Sequence, residues 1–124
     1  MFIGISMALD SKYFKEIEFE HCFPVCSLAD MDQVFVDKLD SARELAGVPF
    51  VLNCAYRFPS WDKSRGRSGS GYHTKGRAVD VRCVDSSDRY KIVRACIHCG
   101  LSVGIYRTFL HIDDREEPIL FWSN

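Results

Sequence analysis

The chain has 124 residues, 47% of them apolar and 27% charged, with a formal net charge of −1. That length suits one domain with a modest core, and the composition is that of a globular protein rather than a disordered or fibrous one. The near-zero charge gives no global basic field, and no apolar run is long enough to span a bilayer, so neither a nucleic-acid nor a membrane partner is expected.

The opening MFIGISMALDSKYF lacks a basic n-region and reaches Asp10 early, so no export signal is expected and synthesis is read as cytoplasmic. One domain is expected over 1–124, with 1–18 as a loosely ordered lead-in. YFKEIEFEHCFPVCS, interrupted by Pro24, reads as irregular. SLADMDQVFVDKLDSARELAG predicts a helix: Ser27 and Asp30 look like a capping box, Met31, Phe35, Leu39 and Ala42 follow the helical period, and Gly47 stops it. FVLNCAY is β-branched and aromatic and reads as a strand. RFPSWDKSRGRSGSG reads as a long polar loop, a feature usually functional or disordered in a small domain.

RAVDVRCV alternates and reads as a strand, with Val79 and Val81 on one side and Asp80 on the other. SSDRYKIVRACIHCG is a second helix, capped at Ser86 or Ser87 and stopped by Gly100. LSVGIY, TFLHIDD and EEPILFW supply the last strands. The expected class is α+β: a single domain with two helices packed on one antiparallel sheet.

Six cysteines are many for this length. Without an export signal they are expected as free thiols, with Cys54 and Cys83 as small buried hydrophobes. Cys22, Cys26, Cys96 and Cys99 offer a Cys-x3-Cys and a Cys-x2-Cys, but the usual structural-metal spacings are not met cleanly, so core packing is the simpler reading. A disulfide between Cys22 and Cys26 is open to an oxidised sample. Lys63, Arg65 and Arg67 read as a solvated loop rather than a phosphate grip, because no groove-reading helix accompanies them.

In FLHID, Leu110 and Ile112 should point into the core, leaving His111 and Asp113 on the opposite face. Alone, His111 reads more simply as a structural histidine. Asp80 inside a strand is costly unless paired or metal-bound. Adding His73, at the end of the Gly-rich loop, gives two imidazoles and a carboxylate with a fourth position open. That is the donor set of a catalytic zinc, which acidifies its water and polarises a carbonyl.

SGSGYHTKGRAVD and VGIYRTFLHIDD together resemble the zinc D-Ala-D-Ala carboxypeptidase and L-Ala-D-Glu endopeptidase family. Its signature is Ser-x-His-x-x-Gly-x-Ala-x-Asp, with a later His in a strand. The Phe-apolar-His-apolar-Asp run and LDSARELAGVPFVLNCAYR are similar to its small branch, common in bacteriophages. The resemblance runs from about Phe19 to Trp122. It implies His73, Asp80 and His111 as ligands of one zinc per chain. It also implies Arg57 as receiver of a substrate carboxylate, a task that suits a guanidinium; the plainer role is a surface ion pair.

The implied function is a zinc metallopeptidase that hydrolyses peptidoglycan stem peptides. It would be a phage-type lytic enzyme, reaching the cell wall after release or as part of a virion. Two positions depart from the pattern. Gly71 stands where the family has Ser, with Ser70 one residue earlier. Thr108 stands where better-studied members place a general base. Asp113 becomes the candidate base, with fixing a ligand imidazole as its equal alternative and Asp114 as the spare. Tyr72, Tyr106 and Trp61 could line a cleft, although packing is the plainer role for each. Related domains such as the hedgehog signalling domain keep a similar zinc site without clear peptidase activity. A zinc-dependent peptide- or wall-binding module is therefore the alternative function.

Overall fold

The computed structural model describes residues 9–122. Its elements are α1 (Glu16–Glu20), a 3-10 turn (Leu28–Asp30), α2 (Gln33–Ala46), β1 (Val51–Cys54), α3 (Pro59–Ser64), a second 3-10 turn (Tyr72–Lys75), β2 (Ala78–Arg82), α4 (Ser86–His98), β3 (Ser102–Ile105), β4 (Phe109–Asp113) and β5 (Leu120–Trp122). The strands form one sheet in the order β1-β2-β4-β3-β5. The α+β class holds, with two refinements. The sheet is mixed, because β5 runs parallel to β3, and there are four α-helices rather than two.

Local chemistry explains the extra pieces. Glu18 accepts from the Lys15 amide at 2.8 Å, which closes the first turn of α1 within a segment expected to be irregular. Pro59, its φ already helical, starts α3 inside the expected loop. The helix expected from Ser27 is two elements. Ser27 and Asp30 do form a capping box, but it closes only a 3-10 turn. Met31 is then extended, and Asp32 accepts from the Phe35 amide to start α2.

The segment expected to be a loose lead-in is only partly described, since 1–8 lie outside the described residues. Within the rest, buried Asp40 of α2 accepts from the Ser11 hydroxyl at 2.8 Å and the Lys12 amide at 2.9 Å. Phe14 is 1% exposed and packs edge-on against Phe19 and Phe50.

The core forms where the helices meet the sheet. Phe35 and Leu39 of α2, Ile92 of α4, and Val79, Val81, Val103, Leu110 and Ile112 of the strands are all buried together. Each contributes about 1.5–3 kcal/mol by leaving water. β1 carries a bulge: Leu52 opposes Val81 and Cys54 opposes Asp80, so two residues advance on β1 for one on β2. A regular strand would place Leu52 and Cys54 on the same face. The bulge keeps Leu52 in the core and turns Cys54 to the other side.

Gly76 fixes the approach to β2. It sits at φ +69, its carbonyl accepts from the Asp32 amide at 2.9 Å, and a Cβ there would lie 2.5 Å from the Asp30 carbonyl oxygen. Only glycine meets both demands. Gly76→Ala should cost about 2–3 kcal/mol in a denaturant melt, whereas Gly71→Ala, with φ −75 and open space for its Cβ, should stay within about 0.5 kcal/mol of the parent.

Candidate metal centre

Strand register builds the centre. Cys54 of β1 opposes Asp80 of β2, Asp80 opposes His111 of β4, His111 opposes Gly104 of β3, and Gly104 opposes Phe121 of β5. One row therefore crosses the whole sheet on the face away from Val79, Val81, Leu110 and Ile112. Gly104 is small for a reason: a Cβ would lie 2.4 Å from the Phe121 ring. With no side chain there, Phe121 settles over the row, its ring centre 6.1 Å from that of His111.

His73 joins the row from the second 3-10 turn. Its carbonyl accepts from the Arg57 amide at 3.0 Å, and its Nδ1 lies 2.7 Å from the Ala55 carbonyl oxygen. A carbonyl can only accept, so Nδ1 carries a proton, and in the neutral imidazole Nε2 holds the lone pair. Nε2 lies 3.3 Å from Asp80 Oδ1. His111 mirrors this with its nitrogens exchanged. Its Nε2 donates to Asp113 Oδ2 at 2.7 Å, leaving Nδ1 3.2 Å from the same Asp80 Oδ1. Zinc bonds of about 2.0–2.1 Å to N and O give tetrahedron edges of about 3.3–3.4 Å. The two His–Asp spacings match such edges.

A second donor set overlaps the first. Cys54, His73 and Asp80 each offer a donor atom, all within 4.8 Å of one another, and all three residues are buried; His111 is not part of that tighter group. The Cys54 Sγ is 3.9 Å from His73 Nδ1, the protonated nitrogen, and it accepts from Arg57 Nε at 3.2 Å. In their neutral forms the two imidazoles would keep their lone pairs on the nitrogens that face Asp80. His73 and Asp80 are common to both sets, and the choice to be tested is whether His111 or Cys54 supplies the third donor.

The electrostatics call for positive charge at this point. Burial works against the charged forms, but the hydrogen bond to Asp80 and the nearby Cys54 outweigh it and raise the His73 pKa to about 9. His111 is raised against the same burial penalty, by Asp113 and Asp80. Asp80, buried between the two imidazoles, is held well below the usual carboxylate range by His111 and His73.

Arg57 reaches this cluster. Its Nη2 is 3.4 Å from Asp80 Oδ2 and its Nη1 4.0 Å from Asp62 Oδ1. Asp113 is fully buried, and both of its oxygens are engaged. Oδ1 accepts from the Arg115 amide at 3.1 Å and Arg115 Nε at 2.9 Å, while Oδ2 accepts from Arg115 Nη2 at 2.6 Å besides His111. Burial alone would raise its pKa, but Arg115 and His111 hold it well below the carboxylate range. Asp114 is tied to Arg77 at 2.7 Å. Thr108 lies at the mouth of β4, where its carbonyl accepts from the Cys83 amide at 3.0 Å.

Of the aromatics considered for a cleft, Tyr106 stacks on Phe109, Trp61 packs edge-on against Phe23, and Tyr72 lines a surface cleft beside His73. Arg65 and Arg67 of the basic loop lie over the Trp61 ring, and Arg67 also pairs with Asp62. All six cysteines are free thiols. Among the described residues no metal-compatible cluster includes Cys22, Cys26, Cys96 or Cys99. Burial pushes the Cys96 thiol up. Sequence reasoning missed Cys54, Gly104, Arg115 and Phe121 as parts of the site. The first depends on the bulge, and Gly104 and Phe121 depend on a parallel pairing without a local signal.

A small α+β domain that gathers imidazole, carboxylate and thiol donors on one sheet face has the build of a metal-binding domain. The Peptidase M15 family model matches residues 13–113, from the lead-in through the end of β4. The chain belongs to the peptidase M15 family, the zinc D-Ala-D-Ala carboxypeptidase-like peptidases. No curated protein and no solved structure matches it significantly.

The two donor sets separate in one measurement. In purified protein reconstituted with zinc, Cys54→Ala should leave the zinc content unchanged, and His111→Ala should lose most of it. Loss in Cys54→Ala with retention in His111→Ala would reverse the choice.

Proposed function

We propose that this chain is a zinc metallopeptidase acting on peptidoglycan stem peptides, as a D-Ala-D-Ala carboxypeptidase or an L-Ala-D-Glu endopeptidase. The observation that carries the reading is the pair of imidazole nitrogens, His73 Nε2 and His111 Nδ1, that meet one carboxylate oxygen at 3.3 and 3.2 Å. His73 Nε2, Asp80 Oδ1 and His111 Nδ1 would hold one zinc, which when bound polarises a carbonyl and acidifies water. The family match and the donor set both support the metal. A phage-type lytic role, reaching the wall after release or in a virion, is the biological setting that goes with this reading.

The chain's own residues do the rest. The Ala55 carbonyl and Asp113 fix the tautomers of His73 and His111, so that the correct nitrogens face the ion. Arg57 offers a guanidinium beside Asp80 that can take a peptide carboxylate in two parallel bonds, which sets which end of the substrate lies at the metal. Phe121 covers one flank and sheds water there. Asp113 has no free oxygen, so we assign it to orienting His111 rather than to taking a proton from water.

A second reading is favoured by one observation. Thr108 cannot serve as a base and Asp113 is locked, so the chain would also suit a zinc-dependent module that binds wall peptides without cutting them.

Digestion of purified peptidoglycan, with mass analysis of the products, separates the two readings. Release of D-Ala or of stem peptides is expected from the zinc-loaded protein and not from His73→Ala. Binding to peptidoglycan without products would establish the module. Asp113→Asn should weaken zinc binding by about 10–100-fold, with turnover restored at saturating zinc. Abolished turnover with zinc still bound would make Asp113 the base instead.

A further inference from the structure

A cleft of about 560 Å³ opens beside the centre, lined by Tyr72, Lys75, Arg77, Arg115, Glu116 and Glu117 among others. That volume suits a side chain or small ligand. The cleft adjoins the metal residues on two sides. Tyr72 directly precedes His73, and Arg115 clamps the carboxylate that orients His111. Arg115 also bridges the Tyr72 and Phe121 rings, at 5.4 and 5.5 Å from their centres, so the wall is continuous from the cleft to the row.

The charges in the cleft are not all available. Three cations surround the Tyr72 ring: Lys75 Nζ at 5.2 Å, Arg77 at 5.3 Å and Arg115 at 5.4 Å. Arg77 is committed to Asp114 and Arg115 to Asp113. Among the described residues Lys75, Glu116 and Glu117 form no ion pair, and all three are exposed. What remains is one ammonium and two carboxylates around an aromatic floor.

A purely anionic ligand would meet two unneutralised carboxylates, and a purely cationic one would meet Lys75. A group carrying both charges satisfies each side: its carboxylate pairs with Lys75, and its ammonium with Glu116 or Glu117. We propose that this cleft is a subsite for the zwitterionic end of a diamino acid side chain in the substrate peptide. The proposal rests on the peptidase reading for its substrate and adds a selection within it. Stem peptides whose diamino acid ends in an ammonium and a carboxylate are preferred over those ending in an ammonium alone.

The test uses two synthetic stem peptides that differ only in that side chain, one with lysine and one with diaminopimelate. Each is titrated into the zinc-loaded, nitrogen-15-labelled chain. The diaminopimelate peptide should bind about tenfold tighter, as one charge-assisted contact allows, and should shift the amide signals of Lys75 and of residues 115–117. Lys75→Met should remove the preference while leaving the lysine peptide within about twofold of its parent affinity. Equal affinity for the two peptides, or a preference that survives Lys75→Met, overturns the subsite.

Mass analysis of the same samples keeps the two claims apart. Preference without cleavage supports the subsite and counts against the peptidase. Cleavage of both peptides with equal affinity supports the peptidase and overturns the subsite. Binding of neither peptide overturns both.

Discussion

The pairing of β2 with β4 is the constraint on which the site depends. Asp80 lies opposite His111 because Val79 lies opposite Ile112 and Val81 opposite Leu110. Those four apolar side chains are all fully buried. A slip of one residue would turn them towards the site and drive Asp80 and His111 into the core. At about 1.5–3 kcal/mol for each buried aliphatic side chain, the core holds the register far more firmly than the ion pairs of the site could. The polar face is thus set from behind, by residues that never touch a ligand.

The two imidazoles are then oriented from different elements. His73 is held by the Ala55 carbonyl just after β1 and His111 by Asp113 two residues along its own strand, while Asp80 sits between the two rings. Nitrogens facing away from Asp80 are occupied, so those facing it are the ones available. Such preorganisation reduces the rearrangement needed when a ligand arrives. It also keeps carboxylates from standing alone in the interior. Asp80 and Asp113 each sit among cations or donors, as burial requires.

Much of this could be read from the sequence, for reasons that differ residue by residue. The alternation in AVDVR and FLHID marks two strands and assigns Asp80 and His111 to the face opposite the core. Gly76 stands at the glycine of the family signature, and the structure supplies a cause for it, the Asp30–Asp32 backbone pressed against it. The bulge at β1 was not legible, because FVLNCAY has no Gly or Pro to announce it; its consequence, Cys54 on the polar face, was hidden with it. The parallel β5 was equally hidden. A strand of three residues has little periodicity, and its partner is set by the chain's return past Ser102, whose hydroxyl accepts from the Ile119 amide at 2.7 Å. The helix read from Ser27 erred because a capping box specifies a first turn and not a length.

Two arginines beside the centre show how packing divides labour between identical side chains. Arg115 meets Asp113 with two contacts of 2.9 and 2.6 Å, the parallel fork of a fully formed pair. Its guanidinium is committed, and its role is to neutralise and fix the carboxylate behind His111. Arg57 touches Asp80 at 3.4 Å and Asp62 at 4.0 Å, and its one close side-chain contact is to the Cys54 sulfur through Nε. Contacts of that length carry little of a hydrogen bond's energy. Its two terminal nitrogens are therefore placed but not used up. On the peptidase function proposed above, an incoming carboxylate would take both while displacing only weak contacts, and the Nε bond to sulfur would keep the fork aimed. The same residue type is a strut on one side of the row and an available hand on the other, and the difference lies in the distances alone.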